Sequence, residues 1–110
     1  MSVADQLDGA GVQVKYHFAR GMCGTEFHIP PGAQIGKHVH TYDHLSALMC
    51  GSVTVDVDGT RTTHHAPAVL TIKAHQEHIV TAITPVVWVC LHATDETDPE
   101  SVDTSLREGK

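Results

Sequence analysis

Residues 32–51, GAQIGKHVHTYDHLSALMCG, contain the pattern that decides the fold and the chemistry of this chain. His38 and His40 are two residues apart, and successive side chains of a β-strand point to opposite faces, so both imidazoles project from one face. A bend at residues 41–43 follows, after which His44 can return toward the same point. Imidazole is a common ligand for zinc, copper, iron and nickel, so this spacing predicts a metal site.

The remainder of the chain has the pattern of short β-strands separated by Gly, Pro and Asp residues. The clearest hairpin is the segment 53–63, VTVDVDGTRTT, in which Asp58-Gly59 suits a tight turn. We predict strands at 12–18, 25–29, 35–40, 45–50, 53–57, 61–65, 68–72, 77–83 and 86–92. Many short strands with no convincing helical period are typical of a β-sandwich or barrel.

Alternation along these strands predicts which residues line the interior. The inward set is Phe27, Ile29, Val53, Val55, Val57, Leu70 and Ile72. The face that carries His38 and His40 holds no large apolar residue, so turning it inward places a polar centre in an apolar cavity. Burying imidazoles without partners is costly, and a bound metal removes that cost.

Length, composition and charge narrow the class of protein. The chain has 110 residues, which suits one domain, and no segment approaches the roughly 20 apolar residues of a membrane span. Its net charge of −6 argues against nucleic-acid binding. The first residues show neither a basic start nor an apolar run, so we expect a cytoplasmic protein. We assign 1–11 to an N-terminal segment, 12–92 to the barrel and 93–110 to an acidic polar tail.

The three cysteines are Cys23, Cys50 and Cys90. An odd number at wide spacing is neither a disulfide framework nor a CxxC zinc pattern. We therefore predict that all three are buried as small apolar residues.

The segment resembles the first motif of the cupin superfamily, which reads Gly, five residues, His-x-His, three or four residues, Glu, six residues, Gly. Gly32 and Gly51 occupy the glycine positions, His38 and His40 the histidine positions, and His44 stands where the glutamate is expected.

The second cupin motif contains Pro-x-Gly, two residues, His, three residues and Asn. Aligned on His78, this chain keeps only the histidine. Fifteen residues, 52–66, separate the motifs, as in compact microbial cupins.

The resemblance implies an all-β jelly-roll barrel, also called a double-stranded β-helix, with one divalent transition metal held by His38, His40, His44 and His78. Four neutral ligands leave the ion its full formal charge, which strengthens its pull on a bound oxygen. Manganese, iron, nickel and zinc all occur in similar sites, and spacing does not choose among them. The resemblance also implies a homodimer, which would cover outward apolar residues such as Val39 and Ile79.

Other residues are weaker candidates for the site. Tyr42 and Asp43 lie between ligands, where they either orient imidazoles or cap the bend. Cys50 and Trp88 are weak candidates for the cavity wall. His75 is the alternative ligand if His44 does not serve. We expect the histidines outside the four-ligand set to be surface or core residues: His17, His28, His64, His65, His75 and His92.

These features favour a metal-dependent enzyme that acts on a small oxygen-bearing organic molecule. A redox-active ion would make it dioxygenase-like, whereas zinc, nickel or manganese would support Lewis-acid isomerase or lyase chemistry. The candidates for a general base are weak: Tyr42, His28 and Glu77. The alternatives are a non-catalytic module that binds a small ligand or a metal, and a barrel whose closed zinc site only stabilises the fold.

Overall fold

The computed structural model describes residues 11–36 and 43–93. These residues form nine β-strands: β1 Gln13–Ala19, β2 Met22–Ile29, β3 Gln34–Gly36, β4 His44–Cys50, β5 Ser52–Val57, β6 Thr60–His65, β7 Ala68–Ile72, β8 His78–Ala82 and β9 Val86–Ala93. Eight of the nine predicted strands are confirmed, and the strand predicted at 35–40 is confirmed at residues 35 and 36, while 37–40 lie outside the described residues. No helix among the described residues is long and apolar enough to cross a membrane.

The strands form two antiparallel sheets that share one core. Five strands lie in the order β1-β2-β9-β4-β7, and four lie in the order β3-β8-β5-β6. Strands that are distant in sequence are neighbours, because β2 pairs with β9 and β5 pairs with β8. The buried apolar cluster draws side chains from both sheets, including Phe27, Leu48 and Trp88 from one and Val53 and Val80 from the other. The predicted jelly-roll barrel is confirmed.

The hairpin between β5 and β6 has the predicted turn. Val57 lies opposite Thr60, so Asp58 and Gly59 alone connect the two strands. Both have positive φ, 47° and 88°, as a tight hairpin turn of this kind requires.

The register of the five-stranded sheet arranges its inner face in rows that run across the strands. Leu48 on β4 lies opposite Trp88 on β9, which in turn lies opposite Phe27 on β2. Each of these side chains is at least nine-tenths buried. This row is the apolar centre of the barrel.

The next rows on the same face are polar. Ser46, Cys90 and Thr25 lie side by side across β4, β9 and β2, and the Ser46 hydroxyl donates to the Cys90 sulfur at 3.6 Å. One row further, His92 lies opposite Cys23. The interior therefore changes from apolar to polar toward the end of the barrel where β4 begins.

The cysteines do not all behave as predicted. Cys23 is buried, and burial raises the pKa of both the Cys23 and the Cys90 thiol. Cys50 is exposed, so its expected burial was wrong. The reason is a register shift in β4 between Leu48 and Cys50, which breaks the alternation and leaves Met49 and Cys50 both on the outside.

Candidate metal centre

The site begins with two histidines on facing sheets. His44 is the first residue of β4 and pairs with Ile72 in the five-stranded sheet. His78 is the first residue of β8 and pairs with Val57 in the four-stranded sheet. Both side chains are buried, each with a relative exposure of 6%. The fold thus brings together two predicted ligands that are 34 positions apart in the sequence.

The two imidazole rings face each other at close range inside the barrel. Their centroids are 6.1 Å apart and their planes are tilted by 57°. Since a metal-bound imidazole nitrogen lies about 2.1 Å from the ion, this separation leaves room for one ion between the rings. Two neutral nitrogen donors with such spacing fit a divalent transition metal.

Gly36 brings β3 unusually close to the start of β8. It pairs with Ile79, and a Cβ at this position would lie 2.5 Å from the carbonyl oxygen of His78. Its φ of +106° also favours glycine. The backbone that precedes residues 37–42 therefore runs directly beside His78.

Asp43 ties the start of β4 to the loop that precedes His78. Its Oδ1 accepts a hydrogen bond from the backbone N–H of Ala74 at 2.7 Å, and its Oδ2 lies 3.7 Å from the Nζ of Lys73. The Ala74 hydrogen bond, and then the nearby Lys73 charge, lower the pKa of Asp43. Of the two roles predicted for Asp43, this geometry is that of a bend cap.

Other predicted candidates lie away from the interior. His75 is exposed on the loop before β8, with a φ of 64°, whereas His78 is buried. Glu77 is exposed, and its backbone N–H donates to Asp58 Oδ1 at 3.1 Å. His28 lies on the outer face of β2, where it hydrogen-bonds to Glu26. Two of the three weak candidates for a general base therefore point away from the two buried imidazoles.

The remaining predicted site residues lie either in the apolar core or outside the described residues. Trp88 is only 1% exposed and packs in the apolar core. His38, His40 and Tyr42 belong to residues 37–42, outside the described residues. Within 11–36 and 43–93, no three His, Cys, Asp or Glu side chains are grouped so as to hold a metal ion.

His92 is a buried imidazole that neither motif contains. Its relative exposure is 6%, and it lies in the polar row opposite Cys23. One sequence feature pointed to the burial of His92. It shares strand parity with Trp88 and Cys90, and that face of β9 is the inner one.

A jelly-roll barrel with buried histidines from both sheets at one end is the architecture of the cupin class. The family profile described as "Cupin domain" matches residues 25–92, and this chain belongs to that family. No curated protein matches the sequence.

Solved structures of low sequence identity share the fold. KdgF from Halomonas sp. is 20% identical with a TM-score of 0.68, over 80% of this chain and 82% of that chain. A cupin superfamily protein from Desulfitobacterium hafniense is 15% identical with a TM-score of 0.69, over 78% and 80% of the two chains.

An enzyme also appears among these structures. Salicylate 1,2-dioxygenase from Pseudoaminobacter salicylatoxidans, in adducts with gentisate, is 9% identical with a TM-score of 0.68. The match covers 74% of this chain and 25% of the dioxygenase. At these identities the likeness concerns the fold alone.

Proposed function

We propose that this chain is a metal-dependent enzyme that acts on a small oxygen-bearing organic molecule, with the metal held by His38, His40, His44 and His78. The observation that carries the proposal is the pair of buried imidazoles, His44 and His78, which face each other from opposite sheets at a ring-centroid distance of 6.1 Å. Cupin domains commonly bind small ligands and transition metals, so the family agrees with this reading.

The position of the described neighbours supports the other two ligands. The backbone enters residues 37–42 at Gly36, which is packed against the His78 carbonyl, and leaves them at Asp43, immediately before His44. Both ends of the segment that contains His38 and His40 therefore lie beside a buried imidazole. Two further imidazoles from this segment would complete a set of four neutral nitrogen donors.

A neutral ligand set has a direct electrostatic consequence. No Asp, Glu, Lys or Arg is among the buried side chains of the described residues, whose buried polar members are Thr25, His44, Ser46, His78 and His92. A divalent ion bound there would supply Lewis-acid or redox chemistry with its full formal charge. Iron, manganese, nickel and zinc all suit imidazole donors, so we propose one ion of this group per chain.

The chain itself would hold and shield the small molecule. The apolar row of Leu48, Trp88 and Phe27 closes the interior on one side of the polar rows and excludes water from it. The hydroxyl of Ser46 lies between that row and His44 on the inner face of β4; its proton is donated to the Cys90 sulfur, so toward a bound hydroxyl group it would act as an acceptor.

A non-catalytic module that binds a small ligand or a metal is the second candidate. It is favoured by one observation: Glu77 is exposed and His28 lies on the outer face, so neither supplies a general base to the interior. If the chain is an enzyme, its chemistry would therefore rely on oxygen activation by the ion, or on polarisation of a substrate oxygen by the ion, rather than on acid–base catalysis by these residues.

The first test is elemental analysis by plasma mass spectrometry of untagged protein, with His44→Ala and the outer-face control His17→Ala beside the wild type. We expect near one equivalent of iron, manganese, nickel or zinc in the wild type and in His17→Ala, and a marked loss in His44→Ala. No metal in the wild type, even after reconstitution, would refute the metal site. Equal metal content in both variants would remove His44 from the ligand set.

Catalysis is tested separately once the metal is known. If iron is present, dioxygen uptake in the presence of small hydroxylated aromatic acids such as gentisate distinguishes an oxygenase from a binding module. Uptake that depends on both the ion and His44 supports the enzyme. Saturable ligand binding without turnover of any ligand tested would instead favour the module.

We also propose that two copies of the chain pair through the part of the outer face of the five-stranded sheet that β4, β7 and β9 form. This face exposes Leu45, Met49 and Val69, with relative exposures of 47%, 61% and 73%. Ala47, Val87, Val89 and Leu91 surround them, and none of these residues is charged.

A second copy of the chain is the occupant that the shape of this patch favours. A flat, uncharged sheet face packs well against the same face of another copy at about 10 Å, whereas the polar cluster of Glu26, His17 and His28 on β1 and β2 would stay outside the contact. Of the two residues first predicted for the interface, Ile79 lies on the other sheet and Val39 lies outside the described residues.

Sedimentation equilibrium tests the dimer. We expect a dimer for the wild type and for Thr63→Glu on the four-stranded sheet, and a monomer for Val69→Glu. A monomeric wild type would refute the proposal, and a dimeric Val69→Glu protein would place the contact elsewhere.

A further inference from the structure

A short loop, residues 73–77, separates the strand partner of one buried imidazole from the other imidazole. It begins directly after Ile72, the last residue of β7, which pairs with His44. It ends directly before His78, the first residue of β8. Because β7 belongs to the five-stranded sheet and β8 to the four-stranded sheet, the loop crosses from one sheet to the other. Its course therefore affects how the two imidazoles are placed relative to each other.

Asp43 holds the first end of this loop. The backbone N–H of Ala74 donates to Asp43 Oδ1 at 2.7 Å, and the Nζ of Lys73 lies 3.7 Å from Oδ2. Asp43 directly precedes His44, and it lies one position beyond the last pair of the β4–β7 ladder, which His44 forms with Ile72. Its carboxylate thus continues the attachment of β4 to this part of the chain after the backbone ladder has ended.

Asp58 holds the second end. Its backbone N–H donates to the carbonyl oxygen of Glu77 at 3.1 Å, and its Oδ1 accepts a hydrogen bond from the Glu77 N–H, also at 3.1 Å. Asp58 follows Val57, which is the strand partner of His78. The residue immediately before His78 is therefore fixed to the four-stranded sheet by two hydrogen bonds, while the loop's other end is fixed to the five-stranded sheet through Asp43.

These two attachments act on geometry more than on the existence of the fold. The ladders that pair β8 with β3 and β5 do not depend on Asp43, so the barrel can form without its carboxylate. Metal ligands, in contrast, must be held within about 0.5 Å of the productive geometry by the residues that support them. Freeing one end of the loop would relax that geometry without removing a ligand.

We propose that Asp43 is a positioning residue of the metal centre. Its hydrogen bond to Ala74 fixes the loop between the two sheets and so sets the separation of the His44 and His78 rings, whose centroids are 6.1 Å apart. The inference rests on the proposed metal site.

The test compares substitutions that separate the hydrogen bond of Asp43 from its charge. Asp43→Ala removes the acceptor, whereas Asp43→Asn keeps an oxygen that can accept the Ala74 N–H but carries no charge. Asp56→Ala is the control for the loss of a carboxylate elsewhere, because Asp56 pairs with Arg61 on the other sheet. Circular dichroism and urea denaturation of the metal-free proteins verify that each variant is folded at the temperature of the measurement.

Cobalt(II) is the probe, because its visible absorption reports the ligand set while competition with a chelator gives the dissociation constant. We expect Asp43→Ala to weaken cobalt binding by about tenfold with the ligand set unchanged, at the lower end of the effect of residues that orient metal ligands. Asp43→Asn should stay within about threefold of the wild type, since it keeps the hydrogen bond. Asp56→Ala should bind as the wild type does. A residue that only stabilised the fold would lower the free energy of unfolding without changing the dissociation constant of the folded protein.

The outcomes separate this inference from the proposed function. If wild-type protein binds no cobalt, the metal site is refuted and the inference with it. If the wild type binds and Asp43→Ala binds equally well, the positioning role alone is refuted.

Three further results would also overturn the positioning role. If Asp43→Asn binds as weakly as Asp43→Ala, the charge of the carboxylate acts on the ion and its hydrogen bond does not. Loss of a ligand in the cobalt spectrum of Asp43→Ala would make Asp43 a ligand itself. Equal weakening by Asp56→Ala would attribute the effect to the net charge of the protein.

Discussion

The two faces of the five-stranded sheet both carry histidines, in opposite environments. On the inner face, His44 and His92 are 94% buried among neutral side chains. On the outer face, His17 and His28 flank the carboxylate of Glu26 and remain accessible to water. The same side chain thus serves two purposes, and the face on which it lies decides which one.

The outer group is a self-contained hydrogen-bonded cluster. Glu26 accepts hydrogen bonds from Nε2 of His17, at 2.8 Å, and from Nε2 of His28. The contact with His28, and then that with His17, lower the pKa of Glu26. A carboxylate and solvent satisfy these imidazoles, so no further ligand is needed to explain them.

The inner group has no such carboxylate among the described buried side chains. Its histidines come from both sheets and lie buried at the polar end of the interior. The comparison teaches that burial, rather than the number of histidines in the sequence, marks the candidate site.

The largest expected effect contrasts the buried and exposed histidines on either side of one turn. His78→Ala should reduce metal content from near one equivalent to almost none, because it removes a buried donor, whereas His75→Ala should leave it unchanged. Elemental analysis of the purified variants measures this directly. The reverse ranking would show that the loop, and not the start of β8, provides the ligand.

Stability should differ strongly between neighbouring positions on the two faces. Leu48 is fully buried beside Trp88, so Leu48→Ala should lower the free energy of unfolding by about 2–5 kcal/mol. Met49 is 61% exposed in the single chain, so at protein concentrations low enough to keep the chain monomeric Met49→Ala should lower it by less than about 1 kcal/mol. Urea denaturation followed by fluorescence of the single tryptophan, Trp88, at equal protein concentrations gives both values.

At higher protein concentrations, where the proposed dimer forms, the loss in Met49→Ala should grow, because Met49 lies in the proposed interface. A loss as large as that of Leu48→Ala in the monomeric protein would contradict the exposed position of Met49.

The reactivity of the three thiols tests the same difference between exposed and buried positions. Cys50 is exposed, whereas burial disfavours the thiolate of Cys23 and Cys90 by raising their pKa. In native protein at pH 8, we expect one of the three thiols to react quickly with a chromogenic disulfide reagent, and all three to react in urea. Cys50→Ser should remove the fast phase. A fast phase that survives this substitution would place another cysteine at the surface.

The smallest effect on stability should come from the outer hydrogen-bonded cluster of Glu26, His17 and His28. The lowered pKa of Glu26 in the folded protein means that its carboxylate stabilises the fold above its unfolded-state pKa, and that this contribution disappears as the pH falls through the folded-state value. Glu26→Gln should therefore be slightly less stable than the wild type at pH 7, by much less than Leu48→Ala, since exposed pairs contribute little.

Urea denaturation of the wild type and Glu26→Gln between pH 7 and pH 3 measures this dependence. The two curves should converge at the acid end. A difference that persists or grows below the folded-state pKa of Glu26 would contradict the assigned cause.

Much of the fold could be predicted because strand patterning is local. Alternation predicted all nine strands and the inward residues such as Val53 and Val55, and Asp58-Gly59 predicted the hairpin. The prediction for Cys50 was wrong because a one-residue shift in the pairing of β4 and β9 depends on the partner strand, which the local sequence does not specify.

The candidate site was only partly accessible to the same reasoning. The motifs selected His44 and His78, and the structure brings these two together. His92 was expected at the surface or in the core, and it is buried. Strand parity alone could not choose between these two positions, because it does not say which face of β9 is the inner one.

The sequence by itself determined where the strands lie, which faces are apolar, and that several histidines occur at metal-binding spacing, since each depends on neighbours a few positions apart. Only the tertiary structure decided that His44 and His78 face each other in the interior, while His17 and His28 lie outside with Glu26. Pairing between strands distant in sequence sets these positions, and that pairing is a property of the whole folded barrel.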